Sequence, residues 1–156
     1  MKAAIFNLDD TLVTRQDGER NVLEETRELM DSVGEREGYR TIILTARAES
    51  VRDETEKLLE RFDLEFDELY MRPESEFSLP DDRFKEKILR KLEKDGYDIR
   101  FAVEDKKTVA DMFSRNGIEC LKIPERHTIR HRLVRKLRKI NPVQDLYLDF
   151  YRKRFS

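Results

Sequence analysis

Lys2-Ala3-Ala4-Ile5-Phe6-Asn7-Leu8-Asp9-Asp10-Thr11-Leu12 is the stretch that decides how this chain is read. A short apolar run passes at once into a carboxamide, two carboxylates and a hydroxyl. Residues 3–8 have the composition of a buried strand. A buried strand whose end gathers Asn and Asp side chains is costly to fold unless something cationic meets them there. The bland alternative is an Asx-rich turn, which commonly follows a strand.

Outward from that stretch, strand-like and helix-like segments alternate. Residues 40–45 form a second buried strand, rich in β-branched side chains. Residues 68–71, 99–103 and 120–123 read as a third, fourth and fifth. Apolar residues at helical spacing fill the intervals over 22–33, 51–62, 81–94 and 107–116, with Gly34 as a stop for the first and Gly117 as a C-cap for the last. This order predicts parallel βαβ units in a doubly wound, Rossmann-like α/β sheet. Ligands of such sheets bind beyond the carboxyl ends of the strands. Those ends carry Asn7 and Asp9, Thr45 and Arg47, Arg72, and Glu104 and Asp105.

The chain has 156 residues, enough for one domain with a real core. Charged residues make up 42% and the net charge is only −2, which hides an asymmetry. Residues 125–156 hold ten Lys/Arg against three Asp/Glu, and the rest of the chain is acidic. The expected organisation is a body over 1–124 and a basic helical extension over 125–156 that packs on or flanks it. A charge run of this kind is either a solvated helix face or a surface for nucleic-acid phosphates. The single Cys120 excludes an intramolecular disulfide and suits a reducing compartment. Its strand-like neighbours make it a small core residue rather than a nucleophile. No apolar run approaches the ~20 residues of a membrane span, and the start has no signal-peptide pattern. A cytoplasmic protein with no membrane partner is expected.

Three further motifs stand at the strand ends. Ile42-Ile43-Leu44-Thr45-Ala46-Arg47 closes a strand with a hydroxyl and a guanidinium. Pro80-Asp81-Asp82-Arg83-Phe84-Lys85 opens a helix with a lysine on it; Lys87 is the second choice, and either lysine is by default a solvated one. Phe101-Ala102-Val103-Glu104-Asp105 ends in an acidic pair, which also suits a cap for the next helix. Together with the opening stretch, these strongly resemble the haloacid dehalogenase-like phosphatases, whose first motif is Asp-x-Asp-x-Thr. The likeness covers about residues 3–124. Residues 69–73, 80–85 and 101–123 sharpen it toward the 3′-phosphatase half of phage-type polynucleotide kinase–phosphatases.

The resemblance implies roles for particular residues. Position 7 is the nucleophile's, and this chain has Asn7 there. Asp9 would protonate the leaving oxygen and then activate water, and its carbonyl would face Mg²⁺. Asn7, Asp9, Asp105 and, directly or through water, Glu104 are the implied metal ligands. Thr11 would steady the loop, and Thr45, Ala46, Arg47 and Arg72 would bind the phosphoryl group or the nucleic-acid backbone. Lys85 would neutralise the phosphoryl group and the attacking residue. Asp10 stands where Gly is frequent.

An amide is a poor nucleophile, so hydrolysis through an aspartyl-phosphate should nearly vanish. Asn7 is read first as an engineered Asp-to-Asn block, because every other catalytic position is intact, and second as the mark of a natural relative that lost catalysis. The intervals between motifs are too short for a cap domain that closes over a small metabolite. An open site suits nucleic-acid 3′-phosphate ends. A small-nucleotide or metabolite phosphatase and a non-catalytic phosphate- or nucleic-acid-binding module are the competing readings. No Walker loop is present, so a kinase or ligase partner, where one exists, lies on another chain or has been removed.

Overall fold

The computed structural model describes residues 1–16 and 18–123. The expected extension over 125–156 lies outside the described residues. The elements in chain order are β1 (Lys2–Phe6), β2 (Val13–Gln16), β3 (Glu19–Val22), α1 (Glu24–Glu37), β4 (Arg40–Ala48), α2 (Arg52–Arg61), β5 (Glu68–Arg72), α3 (Asp81–Lys94), β6 (Asp98–Glu104), α4 (Lys107–Arg115) and β7 (Glu119–Lys122). Five strands pair in parallel in the order β5-β4-β1-β6-β7, which is the doubly wound α/β sheet the alternation predicts.

Side chains on successive strand residues point to opposite faces, so the sheet carries two cores. Ala4 and Phe6 of β1 pack with Leu29, Met30 and Val33 of α1 and with Leu58 and Leu59 of α2. Ala3 and Ile5 pack with Phe84, Leu89 and Leu92 of α3 and with Val109, Met112 and Phe113 of α4. Cys120 belongs to this second core, as a small apolar residue.

Two local readings change. Residues 13–22, for which the alternation predicts no strand, form a two-stranded antiparallel hairpin. Its strands are four residues each and mostly polar, so no apolar alternation marks them. Helix α1 runs through Gly34 and stops at Gly38, whose φ of 65° takes the left-handed conformation a helix end uses. A glycine inside a helix weakens it without ending it; the left-handed residue ends it.

The strand order reverses at β1, and this places the site. The chain lays β4 and β5 on one side of β1, then crosses through α3 to lay β6 and β7 on the other. Phe6 is level with Ile43 and with Val103. The Asn7 N–H donates to the Val103 carbonyl at 3.0 Å, so the residue just past β1 is fixed to the end of β6. The chain then turns tightly: Leu12 and Val13 both donate to the Leu8 carbonyl, at 2.9 and 3.0 Å. Asp10 holds that turn at φ 59°, a region Asp tolerates better than most residues. Between β1 and β4 stand only the hairpin and α1, so no cap domain is inserted there.

Candidate active site

Asn7 is 8% exposed and Thr11 is fully buried, because the turn folds both back under the strand ends. The Asn7 amide nitrogen donates to the Asp9 carbonyl at 2.8 Å and to Asp105 Oδ1 at 2.8 Å. A third, longer contact reaches Thr11 Oγ1 at 3.2 Å, and that hydroxyl donates to Asp105 Oδ1 at 3.2 Å. On the other side, Lys85 Nζ donates to Asn7 Oδ1 at 2.9 Å. The amide can face only this way. An ammonium has nothing to accept with, and a carbonyl and a carboxylate have nothing to donate. The first and fourth motifs, 98 residues apart, thus meet at one nitrogen atom.

Lys85 also donates to Glu104 Oε2 at 2.8 Å, and both side chains are all but inaccessible. Helix α3 delivers the lysine inward beside Phe84, and β6 delivers the glutamate. Burial pushes the Glu104 carboxyl up to about 7, against the pull of the Lys85 ammonium. The other Glu104 oxygen accepts from the N–H groups of Asp105 and Lys106 at 3.3 and 3.4 Å. Glu104 is therefore oriented toward the lysine and the start of α4. Asp105 caps nothing: the N-cap residue of α4 is Lys106, without a side-chain bond.

Asp9 projects into the open cleft and is clamped there. Arg47 grips it with two parallel bonds, Nε to Oδ2 at 2.8 Å and an Nη to Oδ1 at 2.7 Å. A bidentate fork of this kind fixes both distance and direction. A further Arg47 nitrogen reaches Thr55 Oγ1 of α2 at 3.4 Å. The buried Thr45 accepts from the Arg47 N–H at 3.2 Å and so shapes the chain that carries the clamp. Ala46 lines the cleft beside it.

Arg72 lies apart from the cleft. It is buried, stacks over the Phe84 ring at 5.1 Å and bonds to Asp81. Asp81 does line the cleft, and Lys106 meets it from the opposite side at 2.5 Å. Burial works to raise the Asp81 carboxyl, but the bonds from Lys106 and Arg72 outweigh it and hold the acid below its ordinary range. Asp81 and Lys106 are the cleft residues that sequence reasoning passed over. Asp81 is four positions before Lys85, one helical turn, which was the available signal. Lys106 directly follows the acidic pair.

The cleft holds about 390 Å³. Five carboxylates (Asp9, Asp10, Asp81, Glu104 and Asp105) line it with the cations Arg47, Lys85 and Lys106. Arg72 adds a fourth cation from behind, through Asp81. Among the described residues, no three His, Cys, Asp or Glu side chains converge as a metal cluster. No helix of the described residues is long and apolar enough to cross a membrane.

A family model described as the polynucleotide kinase PNKP phosphatase domain matches residues 1–127. No curated protein matches the chain. Among solved structures, a chain in the "Structure of Pnkp1/Rnl/Hen1 complex" superposes with a TM-score of 0.72 at 23% identity, over 78% of this chain and 45% of that one. A chain in the "Structure of the Pnkp1/Rnl/Hen1 RNA repair complex" does so with a TM-score of 0.71 at 23% identity, over 78% and 42%. This chain spans less than half the length of either. At such identity the likeness is one of fold.

Proposed function

We propose, for a chain that belongs to the polynucleotide kinase PNKP phosphatase-domain family, that it is a phosphomonoesterase scaffold for nucleic-acid 3′-phosphate ends, without turnover because of Asn7. The observation that carries this reading is the convergence at position 7. Lys85 bears on its side-chain oxygen from below, and Asp9 is clamped two residues away by Arg47.

With a carboxylate at position 7, the chemistry follows from the groups around it. A carboxylate oxygen attacks phosphorus, the ester P–O bond breaks, and Asp9, which takes a proton from solvent when the phosphoryl group draws Arg47 away from it, gives that proton to the departing 3′-oxygen. Water, deprotonated by Asp9, then attacks the aspartyl-phosphate and releases phosphate. The Lys85 ammonium offsets negative charge on the attacking residue and the phosphoryl group, with no reorganisation at the moment of reaction. Asn7 supplies no nucleophilic oxygen, so the first bond does not form.

Phosphatases of this family typically use Mg²⁺, which neutralises phosphoryl charge. The residues present do not fit the ion as they stand. A hard cation needs oxygen ligands. Here the Asp9 carbonyl and Asp105 Oδ1 accept from the Asn7 amide, Asn7 Oδ1 faces Lys85, and Glu104 faces Lys85. Asp at position 7 would make the set all oxygen.

Two features support a polynucleotide over a small metabolite. The cleft opens to solvent with no inserted cap domain between β1 and β4. The solved structures of like fold belong to complexes, one of them named for RNA repair. By the same token, a kinase or ligase activity that prepares or seals the end is proposed to lie outside this chain, on a partner. The test is Asn7→Asp. With Mg²⁺ it is expected to release phosphate from a 3′-phosphorylated oligonucleotide on the order of 10³-fold faster than the chain with Asn7, and not from a 5′-phosphorylated one. No release from either end, in a folded variant, overturns the proposal. Equal release from free nucleotides would replace it with a small-molecule phosphatase.

A further inference from the structure

The amide of Asn7 does more than remove a nucleophile. Its nitrogen stands 2.8 Å from the Asp9 carbonyl and 2.8 Å from Asp105 Oδ1. An octahedral Mg²⁺ at ~2.1 Å from its ligands sets adjacent ligand oxygens ~3 Å apart. The two distances from position 7 match that spacing, but the atom there is an N–H₂ that donates to both oxygens. Two donors meet two acceptors, and Asp105 Oδ1 is bonded from inside the protein.

Charge tells the same story. Asp9 is paired with Arg47, Glu104 with Lys85, and Asp81 with Arg72 and Lys106. Asp105 instead receives bonds at Oδ1 from the neutral groups of Asn7 and Thr11. A carboxylate at position 7 would set an anionic oxygen against Asp105 and the Asp9 carbonyl with no hydrogen between them. Either a cation or a proton would then be required. The Asn7 amide removes that requirement.

We propose that the Asn7 amide replaces a divalent cation as the link between the first and fourth motifs, so that this chain's cleft is complete without metal and has lost its affinity for one. For a cation to bridge the Asp9 carbonyl and Asp105 Oδ1 where the amide hydrogens now stand, the amide must leave both. Turning its oxygen toward the ion instead sets an N–H₂ against the Lys85 ammonium. Each route breaks bonds that the Asn7 form already makes. This inference concerns the chain's own residues and stands whether or not the substrate is a nucleic acid.

The experiment is a Mn²⁺ titration of the intact chain, followed by the paramagnetic resonance of the free ion, beside thermal unfolding in EDTA and in millimolar Mg²⁺. The unmodified chain is expected to show no bound Mn²⁺ that depends on Asp105, and the same Tm in both solutions. Asn7→Asp is expected to bind Mn²⁺, to melt lower than the parent in EDTA, and to gain about 3 °C or more in Mg²⁺. Bound Mn²⁺ in the unmodified chain that disappears in Asp105→Asn overturns the proposal. So does an Mg²⁺-dependent rise in Tm equal to that of Asn7→Asp. Should Asn7→Asp not fold in EDTA and fold in Mg²⁺, the proposal is upheld in its extreme form; should it fold in neither, the Mn²⁺ titration of the parent and of Asp105→Asn still decides. A failure of phosphate release leaves all these readouts unchanged, so the two proposals fail separately.

Discussion

The two ends of the sheet carry hollows of nearly the same size, about 390 Å³ beyond the carboxyl ends and about 380 Å³ at the amino ends of β4 and β5. They differ in where their polar groups come from. At the carboxyl end, bonds join residues far apart in sequence: Asn7 to Asp105, Asp9 to Arg47, Lys85 to Glu104. The amino-end hollow is bordered by the acids Asp31, Glu35 and Glu65 and by the Arg40–Asp67 ion pair, whose two members flank the starts of neighbouring strands. Burial pushes the Asp31 carboxyl up rather than pairing it first. Its best-defined contact is structural: Asp67 accepts from the Thr41 N–H at 2.8 Å and from Arg40 at 3.0 Å, which fastens the start of β4. Volume does not make a site. Convergence of oppositely charged groups from several strand ends does.

That contrast can be broken or sharpened. The largest effect belongs to Asn7→Asp, whose gain in phosphate release is tested as described above. Next is Lys85→Met, which strands a buried carboxylate and leaves Asn7 Oδ1 without its donor. It should cost about 3 kcal/mol in urea unfolding at neutral pH, and much of that loss should return when Glu104→Leu is added. A single change that costs no more than an exposed substitution would mean the pair is not the keystone of the carboxyl end.

The pH dependence comes next. The Glu104 carboxyl is raised from 4.5 to about 7 in the fold, so between those values the folded chain binds the extra proton. Stability from this group is full below about pH 4.5 and declines as pH rises through about 7, by on the order of 2–3 kcal/mol. Urea unfolding at pH 5 and pH 8 should show that slope in the parent and lack it in Glu104→Gln. An unchanged slope in the variant refutes the assignment. The smallest effect is at the other end of the sheet. Asp67→Asn should lose about 1 kcal/mol and, placed in the Asn7→Asp background, leave phosphate release within about twofold. A large loss of activity there would erase the distinction between the two ends.

Much of this was legible in the chain itself. Residues 81–94 carry Phe84, Leu89 and Leu92 at helical spacing, and α3 has those bounds. The β-branched run at Thr41-Ile42-Ile43 announced β4, because a strand covered on both faces needs apolar residues throughout. The hairpin of β2 and β3 was not legible, since its short polar strands bury little. Nor was the role of Asp81, which looked like one of two acids opening a helix. Only the fold brings Arg72 and Lys106 to it. Arg72, read as a phosphate ligand, is instead held over Phe84 behind that acid.

The sequence by itself determined which chemical groups end each strand, because period and composition mark a buried strand and the residues that follow it. It also determined that position 7 has no nucleophile. Tertiary structure decided which way the Asn7 amide faces. That choice depends on an ammonium 78 positions away and a carboxylate 98 positions away, and hydrogen-bond direction is a property of where donors and acceptors meet in space.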